Sequence, residues 1–117
     1  MSFFLRRTIL SLSAKGRLEI KNVKDDLRVL QNEVGGYIEQ HTLAEDMVIL
    51  CDEDATLKNR SRNPFITSLY GDLVLVGIKN NKWSSIPLMR ANKLVSMIQG
   101  KRKRSGNNVD AKRSDAQ

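Results

Sequence analysis

The chain has 117 residues, 40% of them apolar, and a formal net charge of +7, which suits one domain with a single modest core. Residues 101–117 hold six Lys/Arg and two Asp, so they supply +4 of that charge and leave only +3 on residues 1–100. One cysteine, Cys51, excludes an internal disulfide, and no apolar stretch reaches the length of a membrane span. The opening MSFFLRRTILSLS is interrupted by two arginines and is followed by no small-residue cleavage pattern, so no signal peptide is predicted and the cytoplasm is the default.

In chain order, Thr8–Ser13 and Arg17–Lys21 read as a hairpin, with Leu18 and Ile20 alternating against Arg17 and Glu19 and a turn at Ser13–Gly16. A helix follows. Asn22 or a neighbour is its expected cap, Asp25 and Asp26 are placed in its first turn, and Leu27, Leu30 and Val34 form its apolar face. Gly35–Gly36 ends it, the first glycine suited to the left-handed conformation and the second to a change of direction.

Tyr37–Leu43 alternates without a clean apolar face, as a strand near a sheet edge does, and Met47–Cys51 is a continuous apolar run suited to a central strand. The two are expected to pair antiparallel. Asp52, Glu53 and Asp54 read as a solvated turn, because they lack the spaced ligands of a calcium loop. Arg60–Pro64 is a polar, basic loop in which the Asn63 side chain is expected to hold backbone, and Phe65, Ile66 and Leu69 are expected to return to the core.

Leu73–Ile78 is the most strand-like run, with Gly77 marking a bulge or a close backbone approach. Lys79–Lys82 is a hairpin tip and Trp83–Ile86 a short pairing strand. Pro87 opens a helix carrying Leu88, Ala91, Leu94, Val95 and Ile98 on one face, with Gly100 as its stop. The fold class is α+β: a small, mostly antiparallel sheet of about four to six strands, a short helix after the first hairpin, and a C-terminal helix. Residues 1–100 form the domain, and 101–117 are predicted to be a basic tail, disordered in isolation.

Catalytic, cofactor and metal residues are not predicted. His41 shares a strand face with Glu39, but one histidine and one carboxylate make neither a triad nor a metal set. Cys51, with no histidine near it in sequence, reads as a small buried hydrophobe rather than a nucleophile. Trp83 beside Lys82 reads as packing before it reads as a base-stacking platform. The candidate contact surface is basic: Arg60, Arg62, Lys79, Lys82, and Lys101, Arg102, Lys103 and Arg104, with Arg6 and Arg7 as further cations. These residues suit an acidic protein surface, or DNA or RNA as a nucleic-acid-binding accessory protein would contact it. A small enzyme of unknown chemistry is the least supported alternative. The edges at Tyr37–Leu43 and Trp83–Ile86 allow a homodimer as readily as a monomer.

Three stretches, VLQNEVGGYIEQHTL, VILCDEDATLKNRSRNP and LYGDLVLVG, resemble the phage and mobile-element family of domain of unknown function 3846. Val34, Gly35, Gly36, Tyr37, Ile38 and Glu39 carry the first likeness; Asp52, Glu53, Leu57, Lys58, Asn63 and Pro64 the second; Gly71 and Gly77 the third. The resemblance covers about residues 8–90, and the KNRSR loop, the KNNK tip and the basic tail depart from it. It implies a gene of phages, plasmids or integrated elements acting in the cytoplasm of a bacterial host, and it carries no active site. It also implies an anti-defence role as an expectation: a non-enzymatic inhibitor of a defence protein or ribonucleoprotein such as an RNA-guided nuclease, that is, an anti-CRISPR protein.

Overall fold

The computed structural model describes residues 6–107. Its elements are β1 (Arg6–Leu12), β2 (Leu18–Lys24), α1 (Leu27–Val34), β3 (Ile38–Ala44), β4 (Met47–Asp52), β5 (Leu73–Lys79), β6 (Lys82–Ser84) and α2 (Leu88–Asn107). The strands form one six-stranded sheet in the order β2-β1-β5-β4-β3, every pairing antiparallel, with β6 on β5. The α+β class, the helix after the first hairpin and the C-terminal helix are as the sequence predicts. The topology adds that β5 enters between the two hairpins.

β6 lies on the same side of β5 as β1, further along it. β1 pairs with β5 at Leu73–Leu75, β6 pairs at Gly77–Lys79, and Ile86 N donates to Thr8 O at 3.0 Å where the two meet. Gly77 packs close to this chain: a Cβ there would lie 2.7 Å from both Ser84 Oγ and Ser85 O. The close approach predicted at Gly77 is therefore present.

The pleat sends alternate residues to opposite faces, and each face has its own core. Leu10, Leu12, Met47, Ile49, Cys51, Leu73 and Leu75 cluster with Ile86 and Ala91, and Phe65, Ile66, Leu69, Leu94, Val95 and Ile98 pack against them. On the other face Ile9, Val48, Leu50, Val74 and Val76 meet Leu30 and Val34 of α1. β4 is buried along its whole length, because it is flanked by β3 and β5 and carries core on both faces.

Several local expectations change. Asn22 lies in β2 opposite Thr8, and the helix cap is Asp26, whose carboxylate accepts from Arg28 N at 2.8 Å. Asp25 lies before the helix and pairs with Arg7 of β1. Leu27 is 54% exposed, the buried residues of α1 being Leu30 and Val34, and Leu88 is likewise exposed at the start of α2. The predicted strand at Tyr37 begins at Ile38, and the one at Trp83 is Lys82–Ser84.

The helix predicted to stop at Gly100 continues to Asn107. An interior glycine costs a helix about 1 kcal/mol, and the lysines and arginines that follow are good helix formers. Residues 101–107 of the predicted tail therefore extend α2, whereas 108–117 lie outside the described residues. Among the described residues, no helix is long and apolar enough to cross a membrane.

Candidate functional site

The first two family-like stretches meet at one corner, where Gly71 of the third packs against Arg60, a Cβ there lying 2.9 Å from Arg60 Cδ. Gly35 caps α1 in the left-handed conformation, φ 84°, and its N–H donates to Gln31 O at 2.8 Å. At the adjacent end of β4, the Asp52 side chain is only 1% exposed. Its Oδ2 accepts from Lys58 Nζ at 2.9 Å and Arg60 Nε at 3.0 Å, and its Oδ1 from Asp54 N at 2.9 Å. Both cations also reach Gly35 O, Lys58 Nζ at 3.2 Å and Arg60 Nη2 at 2.9 Å, and so complete the helix C-terminus.

Burial pushes the Asp52 carboxyl up, but the bonds from Lys58, the Asp54 N–H and Arg60 outweigh it, and the group lies below the ordinary aspartate value. Gly36 makes room: a Cβ there would meet Asp52 Oδ1 at 2.7 Å and Lys58 Nζ at 2.8 Å. The turn predicted to be solvated thus begins with a buried anion. The charge pattern hid this, because Asp52 is adjacent to two exposed or half-exposed acidic residues and its cations arrive 6 and 8 residues later. A cleft beside the corner is lined by Gln31, Asn32, Gly36, Tyr37, Asp54 and Lys58.

Among the described side chains, the basic candidates do not form one surface. Arg60 is tied into the corner through Asp52. Arg62 donates to Thr67 O at 2.7 Å and Tyr70 Oη at 3.0 Å, with its guanidinium 5.1 Å from the Tyr70 ring centre. Asn63, fully buried, holds this loop as predicted: it donates to Leu12 O and Gly71 O, both at 2.9 Å, and accepts from Phe65 N and Ile66 N.

Lys79 and Lys82 lie at the other end of β5, directly opposite each other across a tip whose Asn80 and Asn81 have φ of 52° and 63°. The length of β5, about 20 Å at 3.3 Å per residue, separates this tip from the Arg60–Arg62 loop. Both lysines are exposed, and among the described residues neither has an ion-pair partner. Lys101, Arg102, Lys103 and Arg104 fall on the C-terminal part of α2, beyond its core contact at Ile98. Arg6 and Arg7 are engaged by Asn22 and Asp25 on the first hairpin. Trp83 packs against the α1-side core and donates through Nε1 to Gln40 Oε1 at 2.7 Å.

A third grouping lies at the β3 edge. Glu39 stands opposite Cys51 in the β3–β4 register, and His41 follows one pleat along on the same face. His41 Nε2 is 2.7 Å from Glu39 Oε2, and Cys51 Sγ is 4.0 Å from the same oxygen. One donor atom from each residue falls within a mutual 4.8 Å. Burial, then Glu39, then Asp52 push the Cys51 thiol up to about 11. Sequence spacing brought only Glu39 and His41 together; the strand register adds Cys51.

A family model described as Domain of unknown function (DUF3846) matches residues 7–99. No curated protein and no solved structure matches the chain.

Proposed function

The chain belongs to the family of domain of unknown function 3846, and from that premise we propose that it works by binding an acidic protein surface, as an inhibitor of a bacterial defence complex such as an RNA-guided nuclease. The observation that carries this reading is the Lys79–Lys82 pair, two exposed lysines set opposite each other in register. Like charges across a strand pair repel. A carboxylate-bearing partner would relieve that repulsion and gain two cations on a short, well-formed tip.

The four basic residues at 101–104 would add long-range attraction. The anti-defence role itself rests on the phage and mobile-element context that the family resemblance implies, with the host cytoplasm as the place of action.

Affinity purification from host lysate, with and without nuclease treatment, tests the reading. A protein partner retained after nuclease treatment and lost with Lys79→Glu/Lys82→Glu supports it. Recovery of nucleic acid alone favours the accessory nucleic-acid-binding role instead. Protection of a phage or plasmid from an active RNA-guided nuclease tests the biological role, and its absence would remove that part of the proposal.

A further inference from the structure

We propose that Glu39, His41 and Cys51 bind a divalent transition metal of the zinc class at the β3–β4 edge. The donor set is a carboxylate oxygen, an imidazole nitrogen and a sulfur, a mixture that zinc takes and that calcium and magnesium do not. The three residues come from two adjacent strands held in register by a ladder from Ile38↔Asp52 to Thr42↔Val48, so their backbones need not move to converge.

Bonds of about 2.0–2.3 Å in a tetrahedral site put neighbouring donors roughly 3.3–3.8 Å apart. The Glu39–His41 and Glu39–Cys51 pairs, at 2.7 Å and 4.0 Å, bracket that spacing, and the His41 and Cys51 donors lie within 4.8 Å of each other. Side-chain shifts of about 1 Å, opening Glu39 from His41 and bringing Cys51 in, would complete the geometry.

The surroundings suit an ion. Glu39 is exposed and His41 half-exposed, which leaves an entry path from solvent, while Cys51 forms a buried floor. Glu39 and a Cys51 thiolate would together neutralise a doubly charged cation. On binding, the Cys51 S–H bond is replaced by a sulfur–metal bond and the proton leaves to solvent. The negative charge of Glu39, unfavourable to a bare thiolate, becomes favourable once the cation lies between them. With three protein ligands, the fourth position of a tetrahedral site would hold water. This inference does not depend on the proposed binding function.

Titration of the reduced, chelator-treated full chain with cobalt(II) tests it. The expected result is one ion per chain, a near-ultraviolet sulfur-to-cobalt charge-transfer band, visible bands of a four-coordinate site, and displacement by one equivalent of zinc. Cys51→Ser should abolish the charge-transfer band. His41→Ala should keep that band but weaken affinity by at least the about 10–100-fold seen when only a supporting residue of a metal site is lost. Since Cys51 is in the core, its variant is checked for folding by circular dichroism; His41→Ala and Glu39→Ala, at the sheet edge, carry the test if it fails. An unchanged spectrum on adding cobalt, or equal affinity in wild type, His41→Ala and Glu39→Ala, would overturn the proposal.

Discussion

Arg60 donates through Nε to Asp52 Oδ2 at 3.0 Å and through Nη2 to Gly35 O at 2.9 Å, so a residue of the basic loop closes the end of α1 and neutralises the end of β4. The Arg60 side chain is 32% exposed. Its first role is to hold the corner, and only the remainder of its surface is open to a partner.

Replacing the anion should therefore cost more than replacing either cation. Asp52→Ala leaves Lys58 and Arg60 facing each other without a carboxylate. Breaking a buried pair costs about 3–5 kcal/mol, and the partial exposure of both cations lowers the expectation to about 2–3 kcal/mol. Lys58→Met or Arg60→Met alone, with the other cation still on Asp52, should cost about 1 kcal/mol. Urea denaturation midpoints measure all three.

The same carboxylate should appear in the acid limb of stability. Its value is lowered in the folded chain, so its contribution is fully present above the unfolded value, about 4, and is lost as pH falls through the folded one. Wild type should lose stability below about pH 4 more steeply than Asp52→Asn. Denaturation midpoints taken from neutral pH downward compare the slopes, and equal slopes would contradict the assignment.

Gly36→Ala should disturb this corner even though alanine favours many backbones. The added Cβ would lie 2.7 Å from Asp52 Oδ1, and neither that buried oxygen nor β4 can retreat far. A loss of about 1–3 kcal/mol is expected, as for other overpacked sites. A double-mutant cycle with Asp52→Ala should show strong coupling.

Asn63→Ala removes two donors and an acceptor from a fully buried position and leaves Leu12 O, Gly71 O, Phe65 N and Ile66 N to find other partners. Each unsatisfied buried group costs about 1–3 kcal/mol, so a loss of at least about 3 kcal/mol is expected. Limited proteolysis should cut first within residues 60–72.

Lys79→Glu places opposite charges across the tip. Stability should rise by about 0.2–1 kcal/mol, while binding to an acidic partner weakens and becomes less sensitive to salt. Thermal melts and affinity measured at two ionic strengths separate these effects. Equal affinity in wild type and Lys79→Glu would move the contact surface elsewhere.

Much of this architecture is written locally. The alternation of Leu18 and Ile20, the double glycine after Val34, the MVILC run and the NN tip each dictate a conformation within a few residues, through side-chain period and permitted φ. Asn63 was also legible, since an asparagine before proline in a polar loop has few other uses. Gly100 misled because a glycine stops a helix only when the chain has reason to turn there, and the basic run beyond it continues readily as helix.

What only the tertiary structure decided is which distant residues meet. The chain by itself determined its class, most of its elements and its family likeness. Packing of the β4–β5 connection against the end of α1 determined that Asp52 is buried beneath Lys58 and Arg60 and that Arg60, 25 residues on from Gly35, bonds to it, while the sheet order set the two basic loops at opposite ends of one strand. The β3–β4 register determined that Glu39, His41 and Cys51 share one small volume. Periodicity and turn chemistry act over a few residues, whereas strand order and buried charge pairing depend on contacts made only when the whole sheet closes.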